Sequence, residues 1–143
     1  MNFDIIHGKK IRGAYISIEP FFYEEWGEEH HEESIHIYED NFLVPGYLLS
    51  LFQNRYDPYE ITYLGRKNGN EIANIFEEFG LILKNGMNIK LLAEKYIENE
   101  QHQKWVVDQV KENPQQIAVL LLELARYFRD FLKRSEVVSI VGI

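Results

Sequence analysis

Cysteine is absent from this 143-residue chain, so no disulfide staples it, no thiolate serves as a nucleophile and no thiolate metal site exists. A chain of that kind suits a reducing compartment. Long apolar runs are missing too: the longest, Ile117 to Leu122, is far below the ~20 residues that cross a bilayer. The amino-terminal MNFDIIHGKK has no charged stretch followed by an apolar run and a small-residue cleavage site, so no signal peptide is expected. Serine is scarce (Ser17, Ser34, Ser50, Ser135, Ser139), and none sits in a nucleophile elbow. There is no internal repeat and no Pro/Gly/Ser linker. The expectation is a single cytoplasmic domain over 1–143, without a membrane span.

Basic residues are missing from one place in particular. From Glu19 to Asp40 the chain carries nine carboxylates (Glu19, Glu24, Glu25, Glu28, Glu29, Glu32, Glu33, Glu39, Asp40) and no Lys or Arg. Residues 1–60 hold 12 acidic and 4 basic side chains, whereas residues 61–143 hold 11 of each, so the net charge of −8 belongs to the first part. A nucleic acid is a poor ligand for such a surface, since its binding relies on Lys and Arg displacing counterions from phosphates. A basic protein is the electrostatic complement.

Enough apolar material is present to fold. Apolar residues make up 45% and aromatics 14%, too much for a disordered chain. Ile11 to Ile18 and Ser34 to Tyr38 alternate as strands, the latter with Ile35 and Ile37 on one face and His36 and Tyr38 on the other. The two are expected to pair antiparallel across the acidic segment. Val44-Pro45-Gly46 opens a short apolar helix, and Glu60 to Leu64 reads as a third strand ended by Gly65.

Helical spacing then dominates. One helix is expected from an Asn70 N-cap through Ile72, Ile75, Phe76 and Phe79 to a break at Asn85-Gly86. Another follows Asn88, and a third surrounds Trp105 to Val110. Asn113-Pro114-Gln115-Gln116 predicts a capped start for a helix to about Lys133. That helix is apolar almost all round from Ile117 to Leu122, which predicts a place in the middle of the core. Val137 to Val141 reads as a last strand returned to the sheet. Strands early, helices late and one strand last predict an α+β fold, a small mainly antiparallel sheet packed against several helices.

Three constellations invite chemistry. Glu28-Glu29-His30-His31-Glu32-Glu33-Ser34-Ile35-His36 has the ligand types of hydrolytic zinc or a non-haem metal, but His31 and His36 are five apart, not four, and His36 lies in a strand. Gly65-Arg66-Lys67-Asn68-Gly69-Asn70 stands where a phosphate loop would, yet lacks the P-loop and dinucleotide spacings, and a polar strand-to-helix turn is the plainer reading. The third is the acidic segment itself, where Phe21, Phe22, Tyr23 and Trp26 are interleaved with glutamates. Aromatic anchors in a charged surround are what protein-binding surfaces use. The same rings would equally fill a core beneath a wet loop.

The acidity, the lack of cysteine and the stretch IEPFFYEEWGEEHHEE resemble immunity proteins of bacterial contact-dependent growth inhibition and related polymorphic toxin systems, and NPQQIAVLLLELARYFRDFLK is similar to helices of that group. The resemblance implies a cytoplasmic protein, not an enzyme and without a cofactor, that binds a cognate toxin domain, often a basic nuclease, and blocks its active site or substrate path. It transfers no residue. The binding residues expected from charge are Glu24, Glu25, Glu28, Glu29, Glu32 and Glu33, with Tyr23 and Trp26 as anchors. Two alternatives stand beside it: a metal-dependent hydrolase using His30, His31 or His36 with flanking glutamates, and another acidic interaction module such as an adaptor or nucleic-acid mimic.

Overall fold

In the computed structural model, which describes residues 5–8, 14–21, 33–52 and 56–142, isoleucines at alternate positions sort the two faces of a sheet. Strand β2 (Tyr15–Glu19) pairs antiparallel with β3 (Ile35–Tyr38), as the alternation predicts, placing Ile16 beside Ile37 and Ile18 beside Ile35. The carboxy-terminal strand β5 (Val137–Val141) lies on the other side of β2, bringing Ile140 beside Ile18. β4 (Ile61–Gly65) pairs with β5, and the two-residue β1 (Ile6–His7) pairs with β3. Among the described residues the order is β1-β3-β2-β5-β4, antiparallel throughout. Ile16, Ile18, Ile35, Ile37, Leu64, Val138 and Ile140 join the core under the helices.

The helices are α1 (Leu43–Phe52), α2 (Arg66–Lys84), α3 (Lys90–Tyr96), α4 (Glu100–Lys111) and α5 (Pro114–Arg134). The first follows directly on a 3₁₀ turn, Glu39–Phe42. α2 and α5 run antiparallel as the main helical layer. Arg66 at the start of α2 donates from Nε to the Leu132 carbonyl near the end of α5, Phe76 meets Phe128 midway at 5.7 Å, and Gln115 donates to the Leu83 carbonyl at the far end. Glycines set the spacing: a Cβ at Gly80 would lie 2.8 Å from Leu122 Cγ and 3.2 Å from the Ala118 carbonyl oxygen. The expected α+β architecture, with a long carboxy-terminal helix and a final strand, is the one observed.

Several local expectations change. α2 begins at Arg66, one turn before Asn70, and Asn70 donates its amide to the Arg66 carbonyl at 2.8 Å instead of capping the helix. The Gly65–Asn70 stretch is therefore a strand end and a first helical turn, with Gly69 buried against Leu132. Asn113 makes no side-chain cap bond, although Pro114 does open α5. α4 starts at Glu100, capped by Asn99 Oδ1, which accepts from Gln101 N and His102 N, well before the apolar spacing at Trp105 announces it. α5 is not buried all round, since Val119 is 59% exposed. The break at Asn85-Gly86 is as expected, with Gly86 at φ +70°.

Candidate functional site

Of the expected binding residues, Tyr23, Glu24, Glu25, Trp26, Glu28, Glu29 and Glu32 lie outside the described residues. Glu33 is described. Its carboxylate accepts from Arg134 Nη1 at 2.5 Å, so the end of the acidic segment is tied to the end of α5. The other described acids of Glu19–Asp40 part company. Glu19, expected on a wet surface, is 1% exposed, because alternation in β2 puts it on the sheet face opposite the helices, beside Ser139. Phe21 is buried as well, and its carbonyl accepts from the Ser139 hydroxyl. Glu39 is half-buried and Asp40 exposed.

That second sheet face carries Ser17, Glu19, His36 and Ser139, all buried. Gly8, at φ +101°, turns its carbonyl toward His36, which donates to it from Nε2 at 2.7 Å. Ser17 Oγ closes the other ring nitrogen, Nδ1, at 2.6 Å. Both nitrogens are thus engaged within the protein, which leaves the ring no lone pair for a metal in this arrangement. The serine–histidine pair is sealed from any substrate. It is a polar tie between neighbouring strands. Among the described residues, no three potential metal ligands are gathered.

A more open site forms around α1. Hydrogen bonds fix both of its walls. On one side, Glu39 N donates to the Ala14 carbonyl at 2.8 Å, holding the 3₁₀ turn against the start of β2. On the other, Asp57 Oδ1 accepts from Tyr59 N at 2.8 Å, an Asx turn of the kind Asp-Pro sequences favour. Gly142 N donates to the Glu60 carbonyl, and a Cβ at 142 would lie 2.2 Å from the Pro58 oxygen. Only glycine lets the chain end of β5 pass so close beneath this turn.

Between the walls is a cleft of about 440 Å³. Glu39, Asp40, Leu43, Tyr47, Tyr56 and Tyr59 line it, with no Lys or Arg among the described lining residues. Gly46 on α1 has Phe42 Cδ1 and Tyr56 Cε1 each 3.3 Å from where a Cβ would be, so the two rings close over a bare stretch of helix. The Tyr47 ring leans on Trp105 at 5.2 Å and His102 at 5.8 Å. Around the opening Tyr59 is 72% exposed and Leu43 53%.

The electrostatics are one-sided. The described ion pairs lie within residues 61–143, apart from Glu33 with Arg134. Glu39, Asp40, Asp57 and Glu60 make no ion pair with a described residue. Burial, and then the charge of Asp57, raises the Tyr56 phenol far above its ordinary value, and burial raises Tyr47. Both hydroxyls are therefore protonated at neutral pH. The Tyr47 hydroxyl is closed off from water without a hydrogen-bond partner among the described residues.

Tyrosines at 47, 56 and 59 with acids at 39, 40, 57 and 60 were visible as residue types. What hid the site is that its walls are separated by α1 in sequence and meet only because β5 carries the Pro58–Glu60 turn back to β2. No described helix is long and apolar enough to cross a membrane. No protein-family model matches the chain, and neither a curated protein nor a solved structure does.

Proposed function

We propose that this chain is an immunity protein: it binds a cognate toxin domain in the bacterial cytoplasm, a basic nuclease in the first instance, and blocks its active site or substrate path. It acts by binding and needs no cofactor or catalysis of its own. The observation that carries the reading is the uncompensated acidity of residues 1–60, two of whose carboxylates, Glu39 and Asp40, line an aromatic cleft without a described counter-ion. Such a surface attracts a cationic partner over distance and offers rings to anchor it on contact. The resemblance of the acidic stretch and of α5 to immunity proteins narrows that partner to a toxin.

The metal-hydrolase alternative draws no support from His36, whose ring nitrogens are both engaged. The reading of a general acidic adaptor differs from this one only in partner. Co-expression decides between them. A toxin domain, sought in the reading frames that flank this gene, is produced in a sensitive cell with and without the chain. Rescue of growth, together with co-purification of the two proteins, is the expected result. Growth arrest despite ample soluble chain would end the immunity reading.

A further inference from the structure

We propose that the cleft between the Glu39–Phe42 turn and the Tyr56–Glu60 turn is the receptor for an arginine side chain presented by the protein partner. The inference rests on the reading that the partner is a basic protein, and adds where and how one of its side chains is held.

Charge complementarity selects the occupant. Glu39 and Asp40, adjacent on one wall, line the cleft, while Asp57 and Glu60 lie in the opposite turn without lining it, and none has a described counter-ion. Carboxylates alone would suit any cation, and a metal would want its ligands gathered at one point. Here two carboxylates share an opening with three rings, and among the described residues no metal-binding group forms. Tyr47, Tyr56 and Tyr59 supply aromatic faces, and cations are attracted to such faces. Planarity favours guanidinium over ammonium: it stacks on a ring while its edge forks to carboxylates, and it sheds water more readily.

Size agrees. A space of about 440 Å³ falls within the range of small-ligand pockets, enough for one long side chain and its flanking backbone. The Tyr47 hydroxyl is buried and has no hydrogen-bond partner among the described residues. The site is also prebuilt. Its walls are pinned by Glu39 N to Ala14 and by Gly142 N to Glu60, so little ordering is left for binding to pay for.

The test uses the whole chain, 15N-labelled, titrated with the tripeptide amide acetyl-Gly-Arg-Gly and with its Lys and Gln counterparts. The Arg peptide is expected to give saturable shifts at the amides of Gly46, Tyr47 and Tyr59, with the Lys peptide about three-fold or more weaker and the Gln peptide without effect. Asp40→Asn and Tyr59→Ser, both at exposed positions, should each weaken the Arg peptide about three- to five-fold while amide dispersion stays native. Equal binding of the Gln peptide, shifts only elsewhere, or indifference to both substitutions overturns the proposal. The probe contains no toxin, so its outcome is separate from the rescue experiment. A chain that protects cells but ignores the peptide loses the cleft alone, and one that takes the peptide but fails to protect keeps the cleft and loses the immunity role.

Discussion

Arg134 Nη1 donates to Glu33 Oε1 at 2.5 Å, joining residues 101 apart in sequence, with the Arg134 guanidinium 5.7 Å from the Phe131 ring centroid. The bond ties the last residues before β3 to the last turn of α5. Both side chains are about half exposed (52% and 55%), so water and salt screen the pair. Arg134→Ala is expected to lower the unfolding free energy by less than ~1 kcal/mol, with the difference shrinking toward zero in ~1 M salt. Urea titrations at two salt concentrations check this. A larger, salt-independent loss would mean that the contact is buried in solution.

The His36 network is expected to weigh more. Ser17→Ala removes the group that closes His36 Nδ1 in a site where neither residue sees water, so a buried hydrogen bond is lost. The cost expected is ~1–3 kcal/mol. Ser34→Ala is the control one strand-end away. That hydroxyl is equally buried but has no hydrogen-bond partner among the described residues, so its removal is expected to leave stability unchanged or raise it, by up to ~1–3 kcal/mol. Chemical denaturation of the two variants side by side separates a working tie from a merely buried serine.

Where side-chain period carries the information, the sequence was readable. Ile16, Ile18, Ile35 and Ile37 announced both the strands and the inward face, and the run through Phe76, Phe79, Phe128 and Phe131 announced the helical layer. Two kinds of feature were not. The first turn of α2 is polar outside and glycine inside, so Arg66–Asn70 looked like a loop, and only the closeness of Leu132 explains Gly69. Glu19 looked like part of a wet acidic run because charge is read along the chain, whereas burial follows alternation across the sheet. The cleft was illegible for a third reason. Its parts come from either side of α1, and pairing of β4 with β5 is what brings them together.

Helix contact at Gly80 yields a prediction against propensity. Alanine is the better helix former by ~1 kcal/mol, and on that ground alone Gly80→Ala would stabilise the protein. Its Cβ, however, meets Leu122 Cγ at 2.8 Å and the Ala118 backbone oxygen at 3.2 Å, neither of which yields cheaply. Net destabilisation of ~1–3 kcal/mol is expected, partly relieved by adding Leu122→Ala. Gly69→Ala should cost less, since it presses first on Leu132 Cδ1, the mobile end of a side chain. The order of the midpoints in urea is the readout.

Alkaline pH should loosen the fold through Tyr56. Its folded-state pKa is raised above the ordinary 10.0 by burial and by Asp57. For a group raised on folding, the stabilisation is complete below the unfolded value and is lost as pH rises toward the folded one. Stability is therefore expected to be flat to about pH 9 and to fall beyond pH 10, as the unfolded chain gives up a proton that the folded chain keeps. The slope from this residue is at most ~1.4 kcal/mol per pH unit, and less where water reaches the ring. Tyr56→Phe should flatten the decline relative to the parent, measured by urea midpoints from pH 8 to 11.5. An unchanged slope would assign the alkaline loss to other groups.

Steering by the acidic segment is tested by reversing its charges, and the Arg134 contact dictates which ones. Glu33→Lys would set a second cation against Arg134, so a change at that position mixes lost steering with local repulsion. Reversal of Glu28, Glu29 and Glu32 alone leaves Glu33 itself unchanged opposite Arg134. If these residues face the partner, association with the toxin domain should slow about ten-fold or more at low salt, and the effect should fade as ionic strength rises. Adding Glu33→Lys should slow it further and also lower stability, whereas Glu33→Gln should do neither strongly. Stopped-flow association rates across a salt series distinguish the cases. An on-rate that ignores the triple reversal would remove residues 28–32 from the docking face and leave the cleft at Glu39 and Asp40 as the acidic contact.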